Sequence, residues 1–262
     1  MAQQVKVYRS ENSVINDAFD GTVFNLCMNK ERHGYKVFYL CGCEPGVGTT
    51  SVAVELSISL SVSGWNTLLV DGDLRKDNSY KRLNEEAGVG IADYINGRAA
   101  RDDIIHETNW DNLHYISCGN VEADNPLKML YSSRMTELLE GLNGLFDYVI
   151  IDGPSISTSV DSNFYSLRAD ATILVAAMDG SRKKYLEQAY KRLVQNEANV
   201  IGVIENKVSV KEYRQYTKDY DYFNSKKFAR KSSSAAKQAA RKREMEAARE
   251  TRYKAPQKGG RK

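Results

Sequence analysis

Residues 36–51 read KVFYLCGCEPGVGTTS: an apolar, β-rich run, KVFYLCG, that passes into a loop with glycines at Gly46 and Gly48 and hydroxyls at Thr50 and Ser51. A buried strand, a glycine-rich loop and then a helix is the arrangement that binds phosphate. The glycines let backbone N–H groups approach the anion, and the helix N-terminus adds unsatisfied donors and its dipole. The candidate cradle is therefore the run of backbone amides of Gly46, Val47, Gly48, Thr49, Thr50 and Ser51, with the Thr50 hydroxyl in reach of Mg²⁺. The pattern GxxxxGK[ST] puts a lysine where this chain has Thr49.

The loop also decides how the next segment is read. VAVELSISLSV, 52–62, alternates apolar and polar residues with a period of two, which alone indicates a strand. A phosphate loop works only by aiming a helix N-terminus at the anion, so a helix is expected from about Thr50 to Ser63, closed by Gly64.

Comparable apolar runs recur at 66–73, 113–119, 146–153, 171–180 and 199–206, and most are separated by segments of helical length. Short continuous apolar runs so separated are buried parallel strands with helical crossovers, which gives an α/β, doubly wound, mostly parallel sheet with helices on both faces. Residues 10–30 read as a further helix ahead of the first strand, interrupted at Gly21. The expected organisation is a nucleotide-binding-type domain over 1–210, a tyrosine-rich segment over 211–223 and a basic tail over 224–262.

Composition narrows the class. At 262 residues, 42% hydrophobic and 27% charged, the chain is that of a globular protein, and its longest apolar runs fall well short of a membrane span. The opening MAQQVKVYRSENS lacks a signal-peptide core, so a cytoplasmic location is expected. Cys27, Cys41, Cys43 and Cys118 have no metal-ligand spacing and are expected as thiols. The net charge of +3 conceals an asymmetry: residues 224–262 hold 14 Lys/Arg against 3 Glu, a surplus of 11, which leaves the rest of the chain at −8. The tail favours helix through Ala, Glu, Lys and Arg but has no apolar stripe. It is expected to order only on a partner.

Two more strand ends carry carboxylates. LLVDGDLR puts Asp71 and Asp73 two apart after the second strand, and YVIIDGP puts Asp152 after another. Ligands gather at the carboxyl ends of parallel strands, so three polar motifs there, in order, point to a nucleotide site.

With these motifs in view, the chain resembles the bacterial tyrosine kinases of capsular and exopolysaccharide systems, within the MinD and ParA group of ATPases. The resemblance spans about residues 10–222. PGVGTTS is similar to PGEGKST, LLVDGDLR to the Walker A′ motif, FDYVIIDGPSIS to FDYVIIDTPP, and NPLKMLYSS to NPxELLSS. It implies ATP and Mg²⁺ as cofactors, with Thr50, Asp73 and Asp152 around the metal, Asp71 as the base toward tyrosine, and Asn206, at the end of IGVIEN, against adenine. It implies Tyr213, Tyr216, Tyr220 and Tyr222 as phosphoacceptors, on a segment reached in trans. As partners it implies a membrane-embedded polysaccharide co-polymerase or chain-length regulator and, through residues 224–262, an anionic membrane surface, with nucleic acid as the second candidate for the tail.

Two departures qualify the resemblance. Thr49 cannot bridge the terminal phosphates: losing a charge-assisted contact weakens binding by about 1.5–3 kcal/mol, and losing a transition-state donor costs roughly 10²–10³ in rate. Glu44, where MinD relatives carry a second lysine, adds repulsion, and Arg75 is the cation nearest to a substitute. The ExxRxxR pattern that joins subunits into a ring appears as Asp17, Asp20 and Val23, so no stable ring is expected. The expected function is a catalytically impaired member of the family acting in polysaccharide biosynthesis or export. A MinD/ParA-type ATPase switch and a nucleotide-independent scaffold are the alternatives.

Overall fold

The computed structural model describes residues 4–75, 83, 88–121, 126–178, 180–209 and 211–213. The strands are β1 (Val37–Gly42), β2 (Thr67–Asp71), β3 (His106–Glu107), β4 (Leu113–Ile116), β5 (Tyr148–Asp152), β6 (Ala171–Ala177) and β7 (Val200–Asn206). They form one sheet in the order β3-β4-β2-β5-β1-β6-β7, parallel throughout except for the antiparallel pair β3–β4. The helices are α1 (Ser13–His33), α2 (Thr49–Val62), α3 (Ile91–Ile95), α4 (Pro126–Leu130), α5 (Ser133–Asn143), α6 (Asp161–Ser166) and α7 (Lys183–Gln195). From β1 the chain crosses one way along the sheet to β2, and from β6 it crosses the other way to β7. Right-handed crossovers in opposite senses set α2 and α7 on opposite faces, the expected doubly wound arrangement.

Why 49–62 is a helix despite its alternation is visible in its serines. Residues 52–54 and 56–61 are all buried, so the segment needs no polar face. Ser57 Oγ donates to Ala53 O at 2.7 Å, and Ser61 Oγ to Ile58 O at 2.8 Å. Hydroxyls satisfied on their own helix can enter a core, and the period-two pattern then carries no strand information.

The structure departs from expectation at the N-terminus. Helix α1 runs unbroken through Gly21, whose missing side chain faces open space. Buried Val23 and Leu26 and the Asn12 cap hold it, outweighing the roughly 1 kcal/mol that a glycine costs a helix. Ahead of α1, Val5 pairs across a parallel bridge with Thr108, and Trp110 Nε1 donates to Val7 O at 2.8 Å. Neither this strap nor two-residue β3 has enough alternation to be read from sequence. All four cysteines are free thiols, as expected. No helix among the described residues is long and apolar enough to cross a membrane. The chain divides into two units, Met1–Val208 and Ser209–Lys262, and every element named here belongs to the first.

Gly153 shows how tightly the sheet end is packed. A Cβ there would lie 2.2 Å from Cε2 of Tyr39, a fully buried ring stacked on Tyr165 at 5.6 Å. Gly153→Ala is expected to cost about 1–3 kcal/mol by overpacking, a melting-temperature loss of several degrees. Thermal denaturation followed by circular dichroism checks it. Adding Tyr39→Leu should recover part of the loss, whereas simple additivity would contradict the clash.

Candidate nucleotide-binding site

Helix α2 opens at Gly48, a residue with φ of 88° and no side-chain cap, so its first turn presents backbone donors to the end of the sheet. Val47 is 2% exposed and roots the loop in the core, while Gly46 takes φ of 78°. The end of β7 fastens the loop from one side. Asn206 Nδ2 donates to Val47 O at 2.8 Å and Lys207 Nζ to Gly46 O at 2.7 Å. Carbonyl and N–H of a trans peptide point in opposite directions, so drawing these carbonyls toward β7 turns the N–H groups of Val47 and Gly48 toward β5 and β2.

A cavity of about 620 Å³ lies on that side. Its wall is made by Glu44–Gly46 and Gly48–Ser51 from the loop, Asp73 and Arg75 after β2, and Gly153–Ser155, Thr158 and Ser159 after β5. Glu44 Oε1 is buried with no hydrogen-bond partner among the described residues. Arg75 is gripped by Asp161: Nε bonds Oδ2 and Nη2 bonds Oδ1 at 2.9 Å, and this pairing raises the guanidinium pKa further. Asp71 and Asp152 face each other in register on β2 and β5 and are 6% and 2% exposed. They border a separate space of about 10 Å³ together with Thr50, which lines both. Asp73 accompanies them through Asp73 N donating to Asp71 Oδ1 at 3.2 Å.

The strand ends thus bring together Thr50, Asp71, Asp73 and Asp152 around the loop, with Asp71 and Asp152 set behind the cavity wall. Among the described residues no group of three or more His, Cys, Asp or Glu could hold a metal by itself. Two carboxylates and a threonine suit Mg²⁺, which is held by one or two carboxylates and completes its shell with phosphate and water. Asn206 uses its amide nitrogen on the loop. Tyr213 is half-buried in a short turn, its N–H donating to Ser209 O at 2.9 Å. Tyr216, Tyr220, Tyr222 and the basic tail lie outside the described residues. Lys207 and Asp161 were not read from the sequence. Lys207 had a signal, adjacency to Asn206, but Asp161 is 86 positions from its partner Arg75.

A family model described as an AAA domain matches residues 35–181. The tyrosine-protein kinase CpsD of Streptococcus pneumoniae serotype 4 is 32% identical over 195 residues, which cover 72% of this chain and 85% of that one. The chain belongs to the bacterial capsular tyrosine-kinase family. The BceF tyrosine kinase domain superposes on this family member with a TM-score of 0.66 at 27% identity, over 74% of this chain and 78% of that one. The septum site-determining protein MinD of Pyrococcus horikoshii, solved with Mg-ADP, shares the fold at a TM-score of 0.51 and 20% identity, over 69% and 76%.

On helix α1 of this kinase-family chain, Val23 is buried in the core, while Asp17 is exposed and Asp20 pairs with Arg9 at 3.7 Å. The Asn206 contact gives the first test of the site. Asn206→Ala removes the donor from Val47 O, at a cost of about 1 kcal/mol, and is expected to weaken Mg·ADP binding roughly fivefold. Calorimetric titration reads it, and unchanged affinity would show that the loop holds its shape without β7.

Proposed function

We propose that this chain is a weakly nucleotide-binding, catalytically impaired member of its family that regulates capsule or exopolysaccharide synthesis beside a membrane chain-length or export partner. The observation that carries the reading is Thr49 at the first position of α2, in a loop that keeps Gly46, Gly48, Thr50 and Ser51. Backbone amides of Gly46 to Ser51 hold the phosphates, and Thr50, Asp73 and Asp152 hold Mg²⁺, which when bound neutralises phosphate charge. Asp71 is the base toward a tyrosine hydroxyl.

Tyr213, Tyr216, Tyr220 and Tyr222 are substrates for a kinase acting in trans. The tail over 224–262 meets the anionic inner leaflet, where each basic residue contributes about 1 kcal/mol. The protein works in the cytoplasm at the membrane face and closes no ring: of the two positions where arginines would meet a neighbour, one is the acidic Asp20 and the other is Val23, packed inward.

Wild-type protein is expected to bind Mg·ATP weakly and to show little phosphotyrosine. Thr49→Lys should tighten binding by about 10-fold or more, in line with one charge-assisted contact. Calorimetry with Asp152→Ala as the control and an anti-phosphotyrosine blot give the two readouts. Strong wild-type phosphotyrosine that disappears in Asp71→Ala would overturn the impairment. Absence of binding in both wild type and Thr49→Lys would favour a nucleotide-independent scaffold.

A further inference from the structure

We propose that Arg75, clamped by the buried carboxylate of Asp161, is the side chain that meets the terminal phosphates in this chain and supplies the charge missing at Thr49. The inference rests on the nucleotide reading above and names the cation of that same site. Among the described residues that line the cavity, Arg75 is the one cationic side chain, set against two acidic ones, Glu44 and Asp73. A polyanion entering past two carboxylates needs a compensating charge on the wall.

The clamp gives Arg75 its orientation. Asp161 has a side chain 2% exposed, whereas that of Arg75 is 42% exposed, so the carboxylate is fixed inside the fold and the guanidinium emerges from it. A guanidinium carries about five N–H donors in one rigid plane. The two bonds to Asp161 occupy its Nε and one hydrogen of Nη2, leaving Nη1 and the second Nη2 hydrogen for an acceptor. Ordering a long, rotamer-rich side chain on binding has an entropic cost, and a bidentate clamp removes most of it in advance. Arg75 also reaches the cavity from β2, across from the loop amides, so phosphate would be gripped from two sides.

Arg75→Gln alone would leave Asp161 as a buried unpaired charge and endanger folding. The informative variants are Arg75→Lys and the double change Arg75→Gln with Asp161→Asn, each made with Thr49 and with Thr49→Lys, and each checked for folding by circular dichroism. Calorimetry then gives dissociation constants for Mg·ADP and for inorganic pyrophosphate. With Thr49 present, the double change is expected to weaken both ligands roughly 10- to 100-fold, and Arg75→Lys to lose less, because it keeps the charge without the planar fork. With Thr49→Lys the same changes should cost clearly less, because the lysine shares the phosphate. An equal loss in the two backgrounds, or none with Thr49, would overturn the role of Arg75 while leaving the nucleotide site standing. So would a wild type that binds neither ligand beside a Thr49→Lys protein that binds both. If neither protein binds either ligand, the nucleotide reading itself fails.

Discussion

Burial of α2 on nearly every side constrains the structure more than any other single feature. Val52–Val54 and Leu56–Ser61 are enclosed, which the helix tolerates because Ser57 and Ser61 bond its own backbone carbonyls and Ser59 Oγ accepts from Arg9 Nη2. A helix buried along nearly its whole middle cannot rotate or slide without opening the core, so the direction of its N-terminus is fixed by packing. That N-terminus meets the carboxyl ends of β1, β2 and β5, where the carboxylates converge. The pocket is therefore a consequence of how one crossover helix is buried, and the loop before it inherits a rigid anchor at Val47 on one side and at β7 on the other.

The same packing explains which features could be read from the chain alone. Strands such as VFYLCG and YVIID are continuous, largely apolar runs because both of their faces are covered, and burial of that kind leaves an unmistakable composition. Motifs at their ends follow at fixed spacing, so Thr50, Asp71, Asp73 and Asp152 were legible together. Contacts that depend on distant segments were not. The Arg75–Asp161 clamp joins residues 86 apart, and the hold of Lys207 on Gly46 joins residues 161 apart. The division of the acids between the cavity wall and the space behind it depends on the strand-end geometry and leaves no trace in spacing. Gly21 misled for a related reason: local propensity predicts a break, and two buried residues on the following turn override it.

Binding and catalysis make different demands on such a site, and this separates the consequences of Thr49. An anion at rest is held by the sum of amide donors, a helix terminus contributing about 0.3–1 kcal/mol, and any fixed cation at about 1.5–3 kcal/mol. These contributions are interchangeable in kind, so a guanidinium entering from β2 can stand in for an ammonium entering from α2. Phosphoryl transfer is less tolerant. The donor must follow charge as it moves from the terminal phosphate to the leaving oxygen, and a group preorganised for that path is worth roughly 10²–10³ in rate. Arg75, tied by two bonds to a carboxylate that cannot move, is held too firmly to follow. The clamp that makes it a good receptor for resting phosphate makes it a poor substitute in the transition state. On the proposed reading, this chain keeps the ligand and loses the reaction.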